Sequence, residues 1–193
     1  MRPVARLVAV ALFVAAPHAV AQGFDAPVVE LGLTGGAQGL TKAEDSIWGG
    51  AKAAAGWKAR LGQTVLRVEA TGAVLFSRAF WHTAYDVGLA VSVDLFALMV
   101  DRYLSAAFFA RVEGVARFTA PFGQVQTGFV PTLALGIHAA GFWASVTGGA
   151  ELGLRLPTNV DPQFTGGVQV GVEFVELVNF VNRRNEGKQP FPN

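Results

Sequence analysis

Few residues in this chain have the types and spacing for chemistry. Ser77 and His82 lie five positions apart and would serve as nucleophile and general base. Such a pair also needs an orienting group and an oxyanion site, and no further motif supplies either. Three histidines are present and cysteine is absent. His82 and His138, the two outside the N-terminal segment, have no metal-ligand spacing, so neither zinc nor another resident metal is expected. Glu44 and Asp45, next to Lys42, are too few for calcium and read as a solvated loop tip. Gly35-Gly36 and Gly49-Gly50 lack the strand-to-helix context of a phosphate loop and read as flexible loop ends. No catalytic centre and no cofactor are expected.

More informative is a set of ionic residues scattered through apolar sequence: Glu30, Lys52, Lys58, Arg60, Arg67, Glu69, Asp86, Asp94, Arg111, Glu113, Glu151, Arg155 and Glu173. They must be positioned by strands, because the surrounding apolar residues alternate with period two. In 84–96, Tyr85, Val87, Leu89, Val91, Val93 and Leu95 share one face, whereas Asp86, Gly88, Ala90, Ser92 and Asp94 share the other. Eight such strands are predicted: Val28–Thr34, Ala51–Leu61, Val65–Phe76, Ala84–Phe96, Tyr103–Ala116, Pro131–Ala139, Phe142–Leu156 and Phe164–Phe174. Long connections at 35–50, 77–83, 117–130 and 157–163 alternate with short ones at 62–64, 97–102 and 140–141. Outer-membrane barrels have this asymmetry, with long loops outside the cell and tight turns in the periplasm. Proline cannot donate to a ladder, which places Pro131 at the start of its strand.

Composition agrees. The chain has 193 residues, 52% hydrophobic and only 15% charged, with mean hydropathy +0.40. Soluble domains average about 25% charged residues. A net charge of +1 without a basic cluster argues against nucleic acid. Residues 1–21 read as a secretory signal peptide: Arg2 and Arg6, an apolar run from Leu7 to Ala16, then Ala19-Val20-Ala21 before Gln22. Export to the Gram-negative envelope is expected, with cleavage after Ala21. No later run is apolar enough for a spanning helix.

Alternation alone does not say which face is outside, since a soluble barrel of lipocalin type would carry apolar residues within. Every ionic residue named above has the polar parity, and its companions there are small: Ala54, Gly56, Gly88, Ser105, Ala107, Gly149, Gly153, Gly167 and Gly171. An eight-stranded barrel has an interior only just wide enough for side chains, so small residues belong inside and the ionic residues with them. Buried charges must be paired. Two tiers are expected: Glu30, Lys58, Arg60, Arg67, Glu69, Asp94 and Glu173 towards the periplasm, and Lys52, Asp86, Arg111, Glu113, Glu151 and Arg155 towards the exterior. Arg67 with Asp94 and Lys58 with Glu69 are the expected contacts. Aromatic girdles are expected at an outer rim (Phe76, Phe80, Trp81, Tyr85, Phe118, Phe129, Phe164) and an inner rim (Phe96, Tyr103, Phe142, Trp143, Phe174), with Trp57 and Phe108 as mid-strand exceptions.

The last strand, Thr165-Gly166-Gly167-Val168-Gln169-Val170-Gly171-Val172-Glu173-Phe174, resembles the terminal assembly signal of Gram-negative outer-membrane barrels. Thr165, Gly167, Val170, Val172 and Phe174 take its polar, glycine, hydrophobic and closing aromatic places. The chain departs from that signal by continuing beyond the aromatic. By pattern, residues 27–176 are similar to the small eight-stranded outer-membrane proteins, including the transmembrane domain of outer-membrane protein A. The resemblance implies an all-β, eight-stranded antiparallel up-and-down transmembrane β-barrel inserted by the barrel-assembly machinery. Outer-membrane lipid and lipopolysaccharide would be its partners. Because that group includes anchors, adhesins, channels and lipid A-modifying enzymes, it transfers no single function. The expected organisation is 1–21 signal peptide, 22–176 barrel and 177–193 periplasmic tail. The expected role is a non-enzymatic barrel with a filled, salt-bridged lumen acting in anchoring or surface contact. A narrow channel or carrier for small or apolar molecules, a lipid A-modifying enzyme using Ser77 and His82, and a soluble periplasmic barrel are the alternatives.

Overall fold

A computed structural model describes residues 26–38, 46–61, 64–77, 82–99, 105–119, 126–153 and 163–185. Residues 1–21, expected to be a signal peptide, lie outside the described residues, as do the central parts of the long connections. Among the described residues eight strands form, β1 (Ala26–Gln38), β2 (Ser46–Leu61), β3 (Thr64–Ser77), β4 (His82–Met99), β5 (Ser105–Thr119), β6 (Gln126–Ala139), β7 (Phe142–Gly153) and β8 (Gln163–Glu173), followed by the helix α1 (Phe174–Asn185). Each strand pairs antiparallel with its neighbours in sequence, and β8 pairs with β1 to close the barrel. No sheet edge remains, so each strand has a hydrogen-bonding neighbour on both sides.

The strands run from 11 residues in β8 to 18 in β4, and most extend past the predicted limits. Gly35 and Gly49 are therefore not loop ends: they face each other within the β1–β2 ladder. Ser77 and His82 likewise sit in register as the last rung of β3 and β4.

Pro131 lies inside β6, five residues beyond its start, and not at its first position. The β6–β7 ladder passes from Phe129↔Leu152 to Thr132↔Gly149 and omits the two rungs between, whereas β5 pairs with Val130 and Pro131 without a break. The missing N–H thus costs pairing on one side only. A second irregularity is a bulge at Leu95 in β4, where the register to β5 slips between Asp94 and Phe96. The extra residue reverses the parity beyond it, as bulges do. Phe96 then faces outward and stacks on Phe108 with ring centroids 4.6 Å apart.

Polarity is inverted relative to a soluble barrel. The outward positions carry Leu33, Trp57, Val87, Leu89, Val146 and Val168, all exposed. The inward positions carry buried Glu30, Lys52, Arg67, Glu69, Arg111 and Glu113. Exposed aromatics gather near both ends: Phe76, Tyr85, Phe118, Phe129 and Phe164 at the end with the long loops, and Phe96, Phe108, Phe142 and Phe174 at the end with the short turns. Trp57 pairs with Pro27 close to the start of β1, so it and Phe108 belong to the turn-end group and not to mid-strand.

Trp143, expected on the inner girdle, points into the barrel and is buried. Its indole lies over the paired glycines Gly32 and Gly171 of the β1–β8 seam, where an added Cβ would come within 3.0 and 2.6 Å of the ring. Trp48 lies in the same way against Gly36, which pairs with Gly167. Two seam glycine pairs therefore make the room for two indoles in a lumen that has little to spare.

The β6–β7 connection is Ala140-Gly141 with φ of 53° and 85°, the two left-handed residues of a tight hairpin. The first turn of α1 rests on it. The Glu173 N–H donates to the Gly141 carbonyl at 2.6 Å, and a Cβ on Gly141 would meet the Leu177 backbone nitrogen at 2.5 Å.

Candidate functional site

Inward charges are placed by strand parity, and their partners come both from the adjacent strand, as Arg67 with Asp94 and Arg117 with Asp86, and from strands distant in sequence, as Lys52 with Glu113 and Lys58 with Glu173. Three clusters result, stacked along the barrel axis, in place of the two tiers expected from the sequence. At the loop end, Arg117 of β5 makes a two-pronged contact with Asp86 of β4, Nε to Oδ1 and Nη2 to Oδ2, each at 2.8 Å. Its Nη1 reaches Glu151 Oε2 of β7 at 2.9 Å.

In the middle, Arg111 places Nη1 3.0 Å from Glu30 Oε2 and Nη2 3.0 Å from Glu69 Oε2. Its Nε lies 4.0 Å from Glu113 Oε2. The contact to Glu69 has ion-pair distance without hydrogen-bond geometry, since Arg111 Nη2 and both Glu69 oxygens make no hydrogen bond. Glu113 is held between Lys52, which donates to Oε2, and the Thr71 hydroxyl, which donates to Oε1 at 2.8 Å. Glu69 is only 1% exposed.

At the turn end, Arg67 donates from Nη1 to Asp94 Oδ1 at 2.6 Å. His138 Nε2 lies 3.2 Å from both Arg67 Nη2 and Asp94 Oδ1. Lys58 donates to Glu173 Oε1 at 2.7 Å, and Arg67 Nε approaches the other oxygen of Glu173 at 3.8 Å. Glu176 of α1 completes the cluster, 3.7 Å from Lys58 Nζ and 3.6 Å from His138 Nδ1.

Arg67 and Asp94 thus meet as the sequence suggested, but Lys58 and Glu69 do not. Lys58 stands directly across the β2–β3 ladder from Arg67, and the two cations share Glu173. Glu30 and Glu69, expected near the periplasm, rise to the middle cluster around Arg111. Strand tilt and shear offset residues counted equally far from their turns, so height along the chain is a poor guide to height in the barrel. Arg60 is exposed at the rim and takes no part in these clusters. Arg155 lies outside the described residues, as do the side chains of Ser77 and His82. In the assembly motif, Thr165 is buried inward on β8, Val170 faces outward, and Phe174 is the first residue of α1 and not the last of the strand.

Three participants escaped the sequence reading. Arg117 fell just beyond the predicted end of its strand, although it continues the parity of Arg111, Glu113 and Val115. His138 lies inside the predicted strand Pro131–Ala139 but is not in the expected ionic set. Glu176 closes the expected barrel span 22–176, and only its position in a folded-back helix brings it to Lys58 and His138.

Burial opposes ionisation of Glu176, but the hydrogen bond from His138 and the charges of His138 and Lys58 outweigh it and hold the carboxyl well below its ordinary value of 4.5. A carboxylate with a depressed folded-state pKa contributes stability that is complete above its unfolded value and is lost as pH falls through the folded one. Protection of the first turn of α1 against hydrogen exchange should therefore persist from neutral pH to about 5 and fall only in stronger acid. Glu176→Gln should lose that protection across the whole range.

Among the described residues, small cavities lie between the clusters. One of about 40 Å³ lies between the loop-end and middle clusters, lined by Thr34, Thr71, Thr132, Thr147, Thr165 and Gln169 among others. Another, of about 20 Å³, lies below the middle cluster beside Ser92, Phe109 and His138. A water needs roughly 10–15 Å³ measured this way, so both admit water molecules and neither admits a larger solute. Among the described residues no group of histidines and carboxylates has the geometry of a metal centre.

No protein-family model matches this chain, and no curated protein matches it. Among solved structures it is similar to the crystal structure of Neisserial surface protein A, with TM-score 0.48 and 12% sequence identity over 79% of this chain and 99% of that one.

Proposed function

We propose that this chain is an integral outer-membrane β-barrel whose lumen is closed by ion pairs and whose role is anchoring or surface contact. The observation that carries this reading is the inversion of polarity: large apolar side chains cover the outside while the charges pair inside. Soluble monomers rarely expose contiguous apolar patches of more than a few hundred Å², and this exterior presents such residues on all eight strands. Hydrocarbon is the solvent that suits it. Strands of 11 to 18 residues meet or exceed the roughly 9–11 needed to cross a bilayer at a tilt.

The three clusters and the size of the spaces between them support the reading of a closed lumen. Those spaces are lined by hydroxyl, amide and charged groups, which disfavours carriage of an apolar cargo. The lipopolysaccharide leaflet and the barrel-assembly machinery belong to this reading as partners, together with export by residues 1–21.

Fractionation and bilayer recording test it. The protein should stay in the membrane pellet through alkaline carbonate and be released only by detergent. In a planar bilayer it should show no large, steady conductance. Release by buffer would overturn the membrane placement, and a large stable conductance would overturn the closed lumen.

A further inference from the structure

The helix α1 is left unexplained by a sealed barrel. It starts at Phe174 with no linker after β8, has no fully buried residue and carries Arg183 and Arg184 in its last turn. Glu176 and Leu177 occupy the side that meets the barrel mouth, through Lys58, His138 and Gly141. Phe174, Val178 and Val181 follow one another at i, i+4 and i+7, a single stripe along the helix, and all three are exposed.

Phe174 keeps the outward parity of Val168 and Val170 on β8. The stripe therefore begins on the apolar exterior of the barrel, beside the turn-end aromatics, and carries that surface around the rim. The last turn adds two exposed cations to the same helix. An apolar stripe joined to basic residues is the pattern of helices that lie in a bilayer interface and meet anionic headgroups.

We propose that α1 is an interfacial helix that seats Phe174, Val178 and Val181 in the phospholipid leaflet at the turn end of the barrel, with Arg183 and Arg184 against anionic phosphates. This rests on the membrane reading above and adds a specific lipid contact to it. The helix is pinned at one end by β8 and on one side by Glu176, which leaves the stripe no route to water-free surroundings other than the surface its first residue already shares.

The absence of cysteine allows single-site labelling of the full chain. Nitroxides would be placed at Val178→Cys, Val181→Cys and Asn179→Cys, with Leu89→Cys on the outer face of β4 as a reference. The protein is reconstituted in nanodiscs of phosphatidylcholine with and without phosphatidylglycerol, and accessibility to oxygen and to a water-soluble nickel complex is read. Positions 178 and 181 should be oxygen-accessible and nickel-protected, and 179 the reverse. Phosphatidylglycerol should strengthen protection, and Arg183→Glu with Arg184→Glu should abolish that increment, each arginine contributing about fivefold in partitioning.

If Leu89→Cys is protected while 178 and 181 are as wet as 179, the interfacial helix is overturned and the membrane barrel stands. If Leu89→Cys is itself wet, the membrane reading fails first. Protection of 178 and 181 in native outer membrane but not in the lipid nanodiscs would also overturn the proposal, by showing a protein or cell-wall partner in place of lipid.

Discussion

Arg111→Met should lower the unfolding free energy by about 3–5 kcal/mol, read as a shift of the urea midpoint for the barrel refolded into lipid vesicles. Arg111 is 4% exposed and stands between Glu30 and Glu69, with Glu113 4.0 Å from its Nε. Removing the guanidinium leaves these carboxylates inside the barrel with Lys52, paired to Glu113, as the remaining cation of the cluster among the described residues. The loss is that of stranded charge and not of a favourable pair, since a buried ion pair roughly balances its own desolvation. Arg111→Met with Glu69→Gln should therefore recover part of the stability that Arg111→Met loses. Arg111→Lys should rescue less, because an ammonium cannot present the planar fork that meets Glu30 and Glu69 together. A midpoint unchanged in Arg111→Met would mean that water or protons, and not Arg111, neutralise the middle cluster.

Leu89→Arg should cost about 2–4 kcal/mol in the same measurement. Leu89 is 66% exposed, faces outward, and lies mid-strand between Ala70 of β3 and Gly114 of β5. On a water-facing surface a substitution at so exposed a position stays within roughly 0.5 kcal/mol, whereas a cation at the centre of a lipid-facing band must leave water. Depth makes the contrast internal to one protein. Phe164→Arg, at the loop-end rim, should cost only about 0–1 kcal/mol of charge penalty. Equal, small effects at both sites would remove lipid from the account of this exterior.

The alternation that makes eight strands is local, and so it was legible without coordinates. Each strand repeats every two residues, and a charge on the polar parity of its own segment stays on that side until a strand end or a bulge breaks the alternation, as near Arg60, where Ala59 is buried and Arg60 exposed. For the same reason the inward or outward sense could be argued from the company the charges keep. Small residues beside ions in 52–58 and 86–94 make sense only in a confined interior.

What a single strand does not contain is its offset from the next. The pairing of Lys58 with Glu173 instead of Glu69, and the rise of Glu30 to Arg111, depend on shear summed around the closed sheet. Element ends were also beyond local reading. Arg117 joined Asp86 and Glu151 because β5 runs on to Thr119, and Pro131 was admitted to β6 because a proline forfeits hydrogen bonds on only one side of its strand.

The strand count, the parity of most of the lumenal charges and the apolar character of the opposite face are thus set by the sequence alone, because these depend on residues two apart, whereas Arg60, on the same parity as Lys58, is exposed. Closure of the barrel decided which charges meet, where two tryptophans find glycine beneath them, and that Glu176 returns from beyond the last strand to the mouth. Those outcomes are set by distances across the sheet, and such distances exist only once all eight strands are in register.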